Sequence, residues 1–178
     1  MSFQIQACDP LIVPKVEGDP MALSWAVEKV FPLYTEDALI NWNGIYIPLS
    51  YKYDISVLIG DLLIFLTKLM SADKGETSFG CGSDSFTTEW HASWEDGKID
   101  ITSKWEIVRG PILELLNEHN KQELSLEEFL CEWKALLLKI FVCLQMAGYD
   151  ELDVPQMKEL RELEAKIPNF GMIYHSPR

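Results

Sequence analysis

Residues 86–107 constrain the fold more than any other stretch, because they specify a β-hairpin both by alternation and by turn chemistry. Phe86, Thr88, Trp90, Ala92 and Trp94 give one largely apolar face, with Ser85, Thr87, Glu89, His91 and Ser93 on the other. After Asp96-Gly97 the same period resumes: Ile99, Ile101, Trp105 and Ile107 lie on one side, and Lys98, Asp100, Thr102, Lys104 and Glu106 on the other. A type I′ turn at Asp96-Gly97 pairs Trp94 with Ile99, Glu89 with Lys104 and Phe86 with Ile107, so each face meets its like. A slip by one residue would mix the faces.

A second hairpin is predicted from Ala38 to Leu49, where Asn43-Gly44 supplies two residues tolerant of positive φ and Pro48 belongs on an edge. Phe3, Ile5 and Ala7 alternate with polar residues, and Leu11-Ile12-Val13 follows Pro10, which suggests short extended pieces. Helices are expected from Pro20 to Phe31, with Asp19 as N-cap, Pro20 at the first position and Pro32 as the stop, and from Ile55 to Met70, capped by Asp54. Ser125-Leu126-Glu127-Glu128 is a capping box. It opens a helix that places Leu126, Phe129, Leu130, Trp133, Leu136, Leu137, Ile140, Phe141 and Leu144 on one face and stops at Gly148. A last helix runs from Pro155 to Lys166, capped by Asp153, with Glu162 and Lys166 one turn apart. Ile112 to Leu116 fits either a strand or a helical turn, and Ser71 to Ser85, rich in glycine and acidic groups, reads as a flexible loop. The expectation is an α+β domain spanning residues 1–178: an antiparallel sheet built from β-hairpins, with amphipathic and buried helices packed on one face.

The chain of 178 residues carries 28 Asp and Glu against 15 Lys and Arg, a net charge of −13. Such a balance opposes nucleic acid or an anionic membrane surface and points to a basic protein partner, although it also serves solubility. Residues 71–130 hold 13 of the acidic groups and 5 of the basic ones, so the field is concentrated mid-chain. Cys8, Cys81, Cys131 and Cys143 show no paired spacing and read as reduced thiols. With no export signal at the N-terminus, a cytoplasmic location is expected. The segment 55–70 is too short and too polar at Asp61 to cross a membrane.

Catalytic signatures are weak. Cys81 lies between Gly80 and Gly82 with His91 on the next strand, but Glu76 and Asp84 disfavour its thiolate. Those glycines precede a strand, not a helix, so they form no phosphate cradle. His119 and Glu123 can share a helix face, yet three isolated histidines make no metal set, and neither a metal nor a cofactor is expected. Trp90, Trp94, Trp105 and Trp133 fall on core-facing stripes. The feature best suited to function is the outward hairpin face together with the acidic stretch before it, namely Asp73, Glu76, Asp84, Glu89, Asp100 and Glu106. A surface of that sign speeds encounter with a cationic partner. The other readings are a hydrolase or transferase using Cys81 or the acidic-loop carboxylates, and a small-ligand module with a Trp-lined pocket.

The run F-T-T-E-W-H-A-S-W-E-D-G-K-I-D-I-T-S-K-W-E-I-V, followed by S-L-E-E-F-L-C-E-W-K-A-L-L-L-K-I, resembles small bacterial immunity proteins of polymorphic-toxin and contact-dependent inhibition systems. The likeness covers Phe86 to Gly148 and lies in size, acidity, the Trp-bearing hairpin and the amphipathic helix. It implies a cytoplasmic protein that binds and blocks the toxic domain of a cognate toxin, often a basic nuclease.

Overall fold

The computed structural model describes residues 2–18 and 22–169. Two antiparallel sheets and five helices make an α+β fold, with strand orders β1-β2-β3 and β4-β5-β6-β7. The smaller sheet comprises β1 (Phe3–Gln6), β2 (Ala38–Trp42) and β3 (Ile45–Leu49). The larger comprises β4 (Gly75–Gly82), β5 (Thr87–Glu95), β6 (Lys98–Ile107) and β7 (Lys121–Ser125). The helices are α1 (Leu23–Val30), α2 (Ser56–Leu69), α3 (Leu113–Glu118), α4 (Leu126–Ala147) and α5 (Gln156–Lys166). The two predicted hairpins thus sit in separate sheets.

Both turns have the expected left-handed backbone, φ being 54° and 85° at Asn43-Gly44 and 51° and 75° at Asp96-Gly97. Trp94 pairs with Ile99 and Glu89 with Lys104, as the alternation requires. The far end departs from it. A bulge between Thr87 and Thr88 pairs Thr87 with Ile107, which leaves Phe86 outside the strand and buried, and Ile107 exposed. One extra residue on a strand bends it and shifts the facing by one.

The stretch expected to be a loop is largely a strand. β4 pairs with β5 from Gly75↔Trp94 to Gly82↔Thr87 without a register break. One of its three glycines has a steric reason: a Cβ on Gly75 would lie 2.7 Å from Trp94 Cζ2, inside contact distance of an indole that is buried and donates to the Ala72 carbonyl at 2.8 Å, whereas Gly80 and Gly82 face open space. Residues 112–116 resolve into the start of α3, and Lys121–Ser125, unrecognised in the sequence, adds β7 beside β6. His119 therefore caps the end of α3 while Glu123 lies on β7, so they share no helix face.

Asp54 does not cap α2 with its side chain. It lies in a single π-helical turn, Tyr51–Ile55, fully buried, where it accepts from the Ser50 amide at 2.7 Å, from the Ser85 hydroxyl at 2.7 Å and from the Ser83 hydroxyl. Arg109 Nη2 stands 3.9 Å away, while Nη1 of the same guanidinium binds Asp37 at 2.9 Å. A buried carboxylate persists only with such donors around it. Here they tie the β4–β5 turn, the segment after β6 and the start of β2 to the head of α2.

α4 carries the expected apolar face, opens on Ser125, whose Oγ accepts from the Glu128 amide, and ends at Gly148 with φ 100°. The expected cap of α1 lies outside the described residues. In its first turn Gln156 Oε1 accepts from the Leu23 amide at 2.9 Å, and Trp25 faces solvent. Asp153 binds Lys15 instead of capping α5, and the ion pair one turn apart on α5 is Lys158 with Glu162 at 3.9 Å. No described helix is long and apolar enough to cross a membrane.

Two substitutions test this packing. Gly75→Ala is expected to cost about 1–3 kcal/mol in urea denaturation through overpacking against Trp94, whereas Gly80→Ala, where a Cβ meets open space, should be neutral or slightly stabilising. Asp54→Ala should cost about 3 kcal/mol, because Ser50, Ser83 and Ser85 lose their acceptor together.

Candidate functional site: the uncovered face of the four-stranded sheet

Because successive strand residues point to opposite sides, β5 and β6 bury Thr88, Trp90, Ala92 and Trp94 with Ile99, Ile101, Ser103 and Trp105. Helices lie against this inner side. The outer side carries exposed Glu76 and Ser78 from β4, Glu89, His91 and Ser93 from β5, Lys98, Asp100, Thr102, Lys104 and Glu106 from β6, and Lys121 and Glu123 from β7. No helix covers it.

The register sorts these side chains into rows. Glu76, Ser93, Asp100 and Glu123 are consecutive cross-strand neighbours, so one row contains three carboxylates and no cation. Asp100 and Glu123 face each other directly, an arrangement of like charges that weakens a sheet unless something else requires it. The next row holds Ser78, His91, Thr102 and Lys121, with Ser78 Oγ 3.4 Å from His91 Nδ1. Beyond it Glu89 stands opposite Lys104, whose ammonium also binds Glu106 at 2.5 Å; that bond, and next the charge of Glu106, raise the Lys104 pKa. On the other flank Lys74 approaches Glu95 to 3.6 Å.

The six residues expected to form the site are therefore only partly gathered. Glu76 and Asp100 share the acidic row, while Glu89 and Glu106 sit two rows away around Lys104. Asp73 lies in the α2–β4 turn and Asp84 in the β4–β5 turn, at opposite ends of an eight-residue strand about 26 Å long. All six are exposed. Glu123 completes the row from β7, a strand the sequence pattern does not single out. Its signal is the alternation of Lys121, Glu123 and Ser125 with Gln122 and Leu124, five residues overshadowed by the capping box that follows.

Cys81 is buried on the inner side of β4, not exposed in a loop. Burial, more than the nearby charges of Asp54 and Asp61, pushes its thiol up to about 12. A thiol so far from ionising at neutral pH is a poor nucleophile. The tryptophans on the inner face fill the core rather than line an opening, and two surface depressions, one beside Phe141 and Leu152 and one beside Asn43 and His119, have no tryptophan in their walls. Among the described residues no group of three or more His, Cys, Asp or Glu side chains converges to hold a metal ion.

The face measures about 500 Å² from strand spacing and length, against about 800 Å² per partner in a stable complex. A protein docking here must also engage its rim.

For Cys81, whose folded pKa is raised, the protonated thiol contributes stability that is complete below its ordinary value of 9.0 and is lost as pH climbs toward 12. Wild type should thus lose more stability between pH 8 and pH 10.5 than Cys81→Ala, as read by urea denaturation. Iodoacetamide at pH 8 should label Cys8 and Cys131, which are partly accessible, before Cys81, as followed by mass spectrometry. No family model, no curated protein and no solved structure matches this chain.

Proposed function

We propose that this chain is a non-enzymatic acidic binding protein of the immunity type, acting in the bacterial cytoplasm to bind and neutralise a basic toxin domain. The observation that carries this reading is the outer face of the larger sheet, uncovered by any described helix, with Glu76, Asp100 and Glu123 aligned in one row that contains no cation. Directly opposed carboxylates cost stability in the free protein, and a lysine- or arginine-bearing partner relieves that repulsion on docking. The burial of Cys81 and its raised pKa weigh against the alternative of a cysteine-dependent hydrolase or transferase. The sequence resemblance to immunity proteins supplies the biological role, and the charge of −13 supplies the sign of the partner.

The reading is tested on the genes that neighbour this one in the source genome: a toxin domain encoded there is purified and titrated by surface plasmon resonance, and a neighbourhood without one counts against the proposal. Reversing the row with Glu76→Lys, Asp100→Lys and Glu123→Lys together should slow association at least tenfold, with a smaller change in dissociation, and raised salt should weaken the wild-type complex. A partner that is acidic, or binding indifferent to both salt and charge reversal, would defeat the proposal.

A further inference from the structure

A sheet edge presents unpaired N–H and C=O groups, which proteins ordinarily block with proline, lysine, a bulge or a covering group. Among the described residues the two sheets have four edges, and three carry a blocking group. At β1 the Ile5 amide donates to Glu132 Oε2 at 2.8 Å. β3 carries Pro48, which has no amide proton. At β7 the Lys121 carbonyl accepts from Asn43 Nδ2 at 2.9 Å.

β4 is different. Its eight residues, Gly-Glu-Thr-Ser-Phe-Gly-Cys-Gly, include neither proline nor lysine, pair with β5 throughout without a bulge, and among the described residues receive no hydrogen bond on the outer edge. α2 packs against β4, with Asp61 close enough to Cys81 for its charge to act on the thiol, and Val57 and Ile64 are exposed on the same helix. Asp73 and Asp84 flank the strand at its two ends, and Glu76 projects from it on the outer side.

We infer that the free edge of β4 accepts an extended basic segment of the partner as a fifth strand, which deepens the functional reading above and rests on it for the partner's sign. Main-chain bonds to β4 supply the attachment, while alternate side chains of the incoming strand fall beside Glu76 on the outer face and toward α2 on the inner one. Asp84 at one end of the strand, and Asp73 beside Lys74 at the other, are the carboxylates that lysines or arginines at the ends of that segment meet. A second copy of this chain is the poorer occupant, since it brings another −13 of charge to the same place. The strand also supplies the rim contact that the small outer face needs.

The test uses the full chain and two labelled nine-residue peptides carrying the same lysines. One alternates them with valine and threonine; the other has proline in those positions and cannot pair as a strand. The first peptide should bind at least tenfold more tightly by fluorescence anisotropy and slow amide hydrogen exchange across residues 75–82. Thr77→Lys, an inward-facing charge on the edge, should abolish that tenfold advantage, and if the variant fails to fold the peptide comparison decides alone. Equal binding of both peptides without slowed exchange at 75–82 overturns the edge inference and leaves the acidic-surface reading standing. Strand-specific protection that is unmoved by Glu76→Lys, Asp100→Lys and Glu123→Lys sinks that reading instead and keeps the edge. The inference is also overturned if neither peptide binds, or if exchange at 75–82 slows with protein concentration alone, which would assign the edge to a second copy.

Discussion

The burial of Trp90 is the constraint on which the rest of this structure depends. Its ring meets Phe3 of β1, Trp42 of β2, Phe79 of β4, Trp105 of β6 and Trp133 of α4, with centroids between 5.2 and 6.2 Å. One side chain on the central hairpin thus touches both sheets and the longest helix. Aromatic pairs at such separations contribute about 0.5–1.5 kcal/mol each beyond the area they bury. With the inner face committed in this way, period two leaves the polar residues of β5 and β6 only the opposite side. The acidic face is in that sense a by-product of the core.

What the sequence made legible follows from how strongly each segment's local chemistry agrees with its surroundings. Ala38–Leu49 could be read to the residue, because Asn43-Gly44 fixes both turn and register. The same holds for the Asp96-Gly97 end of the long hairpin, while its other end escaped, since a bulge leaves no mark on a string of alternating residues. β4 does not show in the sequence because its three glycines favour loops locally, and the reason for one of them is non-local: at Gly75 the indole of Trp94 occupies the space a Cβ would need. Asp54 was misread for a related reason. A carboxylate before an apolar run is a good helix cap, and nothing nearby in sequence indicates that serines some 30 positions later and Arg109 surround it.

The candidate site was legible in its sign and its strand but not in its membership. Six acidic residues were expected to act together. The register keeps two of them in one row, adds Glu123 from a strand that was not recognised, and neutralises Glu106 against Lys104. Linear proximity cannot report this, since cross-strand rows join residues separated by tens of positions. Edge protection is equally invisible in sequence, because Glu132 and Asn43 close their edges from distant elements.

The distribution of indoles has an optical corollary. Trp42, Trp90, Trp94, Trp105 and Trp133 are buried and Trp25 is 64% exposed. Emission from the native protein therefore arises mainly from a desolvated interior at short wavelength, and a soluble quencher such as iodide reaches Trp25 first. A ligand on the outer strands leaves this spectrum nearly unchanged, so silence in a fluorescence titration is no sign that docking has failed.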